Sequence, residues 1–406
     1  MKKLLTVCFV GMIIANGCAG AAKNTVQAKP NEPGVTTTQT AQPVQPAQQT
    51  APDPDRQAKI AGLIESLKDK EMQKGFAAAN ALGKLGAKEA IPEITRLLND
   101  RDNYSTRCSA LIALMLLKAN EALPEVLKQL KDENTFVRTY AVHALTGISG
   151  KDSIPELMKM LSDENDSVRQ TAAYKIGTLG VKEIIPDLIK LLSNDDWRLR
   201  WSGAIALGAM QAKEALPDLR KLLDDEDIKV RCKAASALGN LRDKEAAPKL
   251  IGNLHLADTN TETQTPDPKL NENKQLCCAS IYALMSMDAK EAIPDLVPLF
   301  KNNDAAVRYS AILAMRRIDS TIVTPELVSL LKDKERSIRW LAADMAGDAK
   351  VKEAIPELLG LLDSTDKSLR GLAAISLVEL GAKENEQFVK KQAVLIEDIR
   401  GITKGG

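Results

Sequence analysis

The chain has 406 residues, 44% of them hydrophobic and 27% charged, with a formal net charge of +1. Its 55 basic and 54 acidic residues nearly cancel, which excludes the basic excess of a dedicated nucleic-acid binder. Only 3% of residues are aromatic, too few for several large globular cores, so the length has to be tested for internal repeats before domains are counted.

The first residues, MKKLLTVCFVGMIIANGCAG, place Lys2 and Lys3 before an apolar run from Leu4 to Ala15. That run is too short to cross a bilayer and suits the core of a signal peptide over residues 1–17. It ends in Ala15-Asn16-Gly17-Cys18, which resembles the box of bacterial lipoproteins, although Ala15 stands where leucine is usual. The resemblance implies lipidation of Cys18 and a membrane-anchored protein of the cell envelope, on the periplasmic or outer-membrane side. Cleavage after Ala21 is the alternative and would leave a soluble periplasmic or secreted chain. Residues 18–55 are rich in Pro, Gln, Thr and Ala and hold few large apolar groups. They are expected to form a disordered tether.

From residue 56 to 404 the chain repeats. Arginine recurs at 107, 138, 169, 200 and 231, and again at 308, 339 and 370, with a step of 31 residues within each run. Gly75 and Cys277 fill two further slots, giving ten. A proline follows nine slots by 17 residues, from Pro92 to Pro356, and Gln387 takes the tenth position. Proline is tolerated at the start of a helix, where its missing N–H would be unpaired anyway. Each proline therefore marks a second helix after the slot helix. Three residues after a slot the side chain is small, as at Ala78, Ala110 and Gly203; seven after, it is large in nine units, as at Leu82 and Leu114. Such stripes bury themselves only by stacking on a neighbour. The expected fold is all-α, an α-solenoid (superhelix) of about ten 31-residue helical hairpins. A polar insertion at 253–275 is expected to be an exposed loop.

The unit DEN-x-x-VR-x-x-A-x-x-AL followed by KEAIPEL resembles the HEAT-like repeat of the phycobilisome-lyase type over roughly residues 57–400. That family includes bilin-lyase subunits, adaptor scaffolds and deoxyhypusine hydroxylase, an iron enzyme. The hydroxylase binds iron through His-Glu pairs. Here Ala144 follows His143 and Leu256 follows His255, so that site does not carry over. There is no CxxC pair, no glycine-rich phosphate loop and no local catalytic signature. No cofactor, metal or catalytic residue is assigned. A bridge from Cys232 to Cys277 or Cys278 is left open.

The surface offers three further readings. An Asp six residues before several slots (Asp69, Asp132, Asp163, Asp225, Asp333) suggests an Asp–Arg ladder in the turns. Arg96, Lys128, Lys159, Lys190 and Lys221 form a basic row on the Pro helices, each three residues after an acid. Further along, Asp295, Glu326 and Glu357 lose that partner. The resemblance places the Pro helices on the concave face and makes the row a candidate partner groove. Trp201, Tyr309 and Trp340 follow their slots directly, and are either exposed anchors for a partner or fillers of helix seams. The expected function is a non-enzymatic scaffold binding a protein partner, anchored to the membrane by its lipid and monomeric by itself, with Gln387 in a capping unit. The alternatives are an enzyme or cofactor-loading accessory subunit, and an envelope structural protein.

Overall fold

The structure, a computed structural model, describes residues 53–257, 268–319 and 325–382. Cys18, the tether up to residue 52 and Gln387 lie outside the described residues. The described elements are all helical. They pair in chain order as α1 (Pro54–Leu67) with α2 (Met72–Leu85), α3 (Ile91–Arg96) with α4 (Tyr104–Leu117), and α5 (Leu123–Gln129) with α6 (Thr135–Ser149). Next come α7 (Ile154–Met160) with α8 (Asp166–Leu179), α9 (Ile185–Leu191) with α10 (Trp197–Met210), and α11 (Leu216–Lys221) with α12 (Ile228–Asn240). The last four pairs are α13 (Ala247–Leu254) with α14 (Pro268–Ser286), α15 (Ile293–Leu296) with α16 (Ala305–Ile318), α17 (Pro325–Ser329) with α18 (Arg336–Asp348), and α19 (Ile355–Leu361) with α20 (Lys367–Glu379).

Even-numbered helices carry the slots and odd-numbered ones, after α1, carry the repeated prolines. Most Pro helices start one residue before the proline, so its missing N–H falls among the unpaired donors of the first turn. The preceding KEA is a short 3₁₀ turn, as at Lys88–Ala90 and Lys352–Ala354. Each Pro helix packs on the slot helix that follows it, and slot helices pack on one another. Reading the slot helix as the first member of each hairpin thus put the pairs out of phase by one helix.

The reason lies in the arginine. Arg138 Nη1 donates to the carbonyls of Asp132 (2.9 Å) and Glu133 (3.2 Å), which form the turn between α5 and α6. Its Nε and Nη2 reach forward to the Asp163 carboxylate in the next turn, at 2.9 and 3.1 Å. Asp163 in turn gives its carbonyl to Arg169 Nη1. The ladder is real, but each Asp offers its carbonyl to its own arginine and its carboxylate to the previous one. Arg107–Asp132, Arg200–Asp225 and Arg308–Asp333 repeat the pattern. Asn or Asp residues then cap the slot helices, as Asn134 does by accepting from Phe136 N–H. Gly75 has no arginine to contribute; a Cβ there would collide with the Ser109 hydroxyl.

The small and large stripes close the core. Ala110, Ala141, Ala172 and Ala234 are fully buried, as are Leu82, Leu114, Ile176 and Leu207. Neighbouring slot helices come close at small residues: a Cβ at Gly208 would lie 2.9 Å from the Ala237 Cβ, and one at Gly239 would lie 2.6 Å from the Ala283 Cα. The insertion is not a loop throughout. Asn253 and Leu254 are buried in α13, with Asn253 Nδ2 donating to Ser280 Oγ at 3.1 Å, and residues 268–275 extend α14 toward its N-terminus. Residues 258–267 lie outside the described set.

Removing one partner from a buried ion pair leaves an uncompensated charge, at a cost of ~3–5 kcal/mol. Arg138 and Asp163 side chains are 7% and 9% exposed. Asp163→Ala is therefore expected to lower the opening free energy of α6 and α8 by about that amount, measured by native-state hydrogen exchange, whereas Glu164→Gln, at 83% exposure, shifts it by less than ~0.5 kcal/mol. Equal effects from the two changes would refute the rung. A second expectation concerns acid. Burial, with the Lys175 charge adding, pushes the His143 imidazole down from 6.5 to about 4. A group that stays neutral when folded contributes fully above pH 6.5 and loses that contribution as pH falls toward 4. The His143 ring resonance should titrate near pH 4, and a midpoint near 6.5 would show the ring to be solvated.

Candidate functional site: the inner face of the slot helices

Two contacts identify the inner side of the bend. Phe76 of α2 and Tyr140 of α6 meet edge-on with ring centroids 5.2 Å apart, although α4 lies between their helices. Lys229 Nζ of α12 meets Asp166 of α8 at 3.1 Å, passing over α10. In a flat stack, helices two units apart would be separated by roughly 16–20 Å, and side chains of these lengths would meet only if fully extended straight at each other through the helix between them. The slot helices therefore line the inner side in these stretches, and the Pro helices lie outside. The concave assignment expected from the family resemblance is reversed.

This moves the basic row to the outer layer. Lys128, Lys159, Lys190 and Lys221 pair with the acid three residues earlier at 2.6, 2.6, 2.9 and 2.8 Å. Arg96 is exposed and makes no ion pair among the described residues. The later acids do have partners, from the preceding unit: Asp295 meets His255 at 3.1 Å, Glu326 meets Lys301 at 3.0 Å and Glu357 meets Lys332 at 2.7 Å. A period of 31 residues hid these pairs because the bases sit on a different helix position from the lysine row.

The three aromatic candidates separate. Tyr309 and Trp340 are each 39% exposed, at the position directly after the slot that Phe76 holds in α2. Trp201 is 3% exposed and is no free anchor. It fills the seam between α8 and α12, because cationic side chains close over both sides of it. Arg169 Cζ lies 5.3 Å from the Trp201 ring and 4.9 Å from the Trp197 ring. Lys229 Nζ lies 4.9 Å from Trp197, and Lys233 Nζ lies 5.3 Å from Trp201. Such contacts stabilise by ~0.5–2 kcal/mol each, more where water is excluded.

The cluster arises where the ladder misses a rung. The position that would hold the carboxylate for Arg169 is Asn194. Arg169 is fully buried and turns instead to Asp166 (2.5 Å) and the two indoles, leaving its Nε without a partner among the described residues. Beside it a cleft of about 330 Å³ is lined by residues that include Gln170, Trp201, Lys229, Cys232, Lys233 and Gln275. Trp197, Lys229 and Lys233 were not singled out from sequence. The available signal was Trp197 one helical turn before Trp201, together with Asn194 breaking the Asp series.

Cys108, Cys232, Cys277 and Cys278 form no disulfide among the described residues, so Cys232 bridges neither Cys277 nor Cys278 in this structure. Burial pushes the Cys108 thiol up to about 12 and the Cys232 thiol up to about 11, which leaves neither as a ready thiolate. Among the described residues there is no group of three or more His, Cys, Asp or Glu that could hold a metal ion, and no helix long and apolar enough to cross a membrane.

The chain is similar to several known proteins. The chain is similar to one of the chains in the complex of CpcE and CpcF of phycocyanin lyase from Nostoc sp. PCC7120, with 24% identity over 60% of this chain and 94% of that one, at a TM-score of 0.35. It is similar to E. coli YibA at 20% identity, 59% and 91% coverage and a TM-score of 0.44. A Kap121p mutant shares 14% identity over 86% of this chain and 48% of its own, with a TM-score of 0.52. No curated protein matches. The family model for HEAT repeats matches residues 60–146, 123–204, 154–223, 185–264, 270–338 and 324–394. The chain belongs to the HEAT-repeat family.

Proposed function

We propose that the protein is a non-enzymatic scaffold, tethered to the bacterial cell envelope through a lipid on Cys18, that binds a protein partner on the inner face of its slot helices. The observation that carries the binding half is the inner face itself. The slot helices that form it carry half-exposed aromatics, Tyr309, Trp340, Tyr174 and Tyr282, whereas the outer lysines are largely neutralised by their own helices. Aromatic anchors on a rigid concave surface are the usual centre of a protein interface. Support for the tether is the sequence of residues 1–18 and the Pro/Gln/Thr-rich stretch after it, which suits a spacer between membrane and folded body. Stable anchoring needs more than one acyl chain, as the lipoprotein modification supplies.

A photo-cross-linking residue placed at 309 or 340 in cells is expected to capture one discrete protein, while the same residue at 159 or 190 on the outer layer captures none. Capture from the outer positions alone would reverse the assignment of faces. Cys18→Ser should abolish acyl labelling and release the chain from the membrane fraction; labelling that persists in this variant would reject the anchor. Stoichiometric iron or zinc in the purified protein would instead favour an enzyme or a cofactor-loading subunit.

A further inference from the structure

The cation–indole cluster of α8, α10 and α12 has a charge imbalance that the fold does not correct. Arg169, Lys229 and Lys233 surround Trp197 and Trp201. Two carboxylates lie near them. Asp196, close enough to feel the Arg169 charge, is held by Arg198 at 2.7 Å. Both oxygens of Asp166 are taken, Oδ1 by Arg169 Nη2 at 2.5 Å and Oδ2 by Lys229 Nζ at 3.1 Å. Lys233 is half-buried against the Trp201 ring and makes no ion pair or hydrogen bond among the described residues. Gln170 and Gln275, exposed on opposite rims of the cleft, likewise make no side-chain hydrogen bond there. The Arg169 Nε, fully buried, adds a fourth unanswered donor.

Burying a cation without an anion is costly, and the site shows the cost. Burial lowers the Lys233 ammonium from its ordinary value, and only the more distant Cys232 and Asp166 act against that. A ligand that brought one negative charge would pair Lys233 inside a walled cleft, where a charge-assisted hydrogen bond is stronger than at an open surface. The unused donors are an ammonium, two amides and a single buried guanidinium N–H rather than an open arginine fork. The walls are an indole and a short apolar stretch at Ala279. That combination fits a carboxylate on an apolar stem.

We propose that this cleft binds an acidic segment of the protein partner, with a Glu or Asp side chain entering beside Trp201 and pairing with Lys233. This rests on the scaffold reading above and names the chemistry of its partner. It also explains the missing rung: an aspartate at 194 would satisfy Arg169 and remove part of the positive field that the segment reads.

The test uses the three tryptophans of the chain. In a Trp340→Phe background, indole emission reports only Trp197 and Trp201. Hexaglutamate, hexalysine and inorganic phosphate are titrated separately at low salt. Hexaglutamate should give a saturable emission change that weakens at least tenfold in Lys233→Gln, with circular dichroism checking the fold, and that fades in about 0.5 M sodium chloride, where screening is strong. Gln170→Glu with Gln275→Glu, both at exposed positions, should abolish the response without disturbing packing. Hexalysine should give none. No response to hexaglutamate, a response retained in both variants, or an equal response to phosphate would overturn the proposal, the last by showing a niche for free small anions. Cross-links captured from 309 and 340 would still stand in any of those cases, so failure here is distinguishable from failure of the scaffold reading.

Discussion

The structure depends on one buried contact made again and again: an arginine that grips the turn before its own helix and the aspartate of the turn after it. It is a demanding device. Two charges leave water, and the return comes only because the guanidinium spends its donors at once, in Arg138 on two carbonyls, the Asp163 carboxylate and the exposed Glu164 carboxylate. Because each aspartate is also held through its carbonyl, a rung fixes the angle between two units as well as their distance. The hydrophobic stripes could slide over one another; the rungs set the register.

Broken rungs are therefore as informative as made ones. After Arg231 the ladder meets Leu256 and the insertion, and after Arg339 it meets Ser364. After Arg169 it meets Asn194, and there the spare guanidinium organises two indoles and two lysines into a cleft. The scaffold makes its most distinctive surface where it departs from its own repeat rule, which is where function is expected to tolerate a local loss of consistency.

Much of this was legible in the sequence and some was not, for definite reasons. The 31-residue period, the proline at each helix start and the small–large alternation are local properties, and Ala110, Ala172, Leu82 and Leu207 sit in the core as that pattern requires. The pairing of helices was not legible, since a slot helix has a Pro helix at similar separation on either side, and only the arginine's hydrogen bonds to the turn before it decide between them. The inner face was not legible because it depends on curvature, which arises from contacts between units. The burial of Trp201 followed the same logic: a helical wheel places it away from its own helix's apolar stripe but knows nothing of Lys233 and Arg169 on the neighbours.

The glycines where slot helices nearly touch have a consequence for how such a molecule changes over generations. At Gly208 and Gly239 one hydrogen atom occupies the place where a methyl group would strike the adjacent backbone or side chain. Swapping either for alanine takes a single nucleotide change, and the added carbon would act as a wedge driven between the inner helices, opening the arc at one joint and leaving the others alone. A protein built this way can change the radius of its inner arc stepwise, one joint at a time, without altering any other residue of that surface.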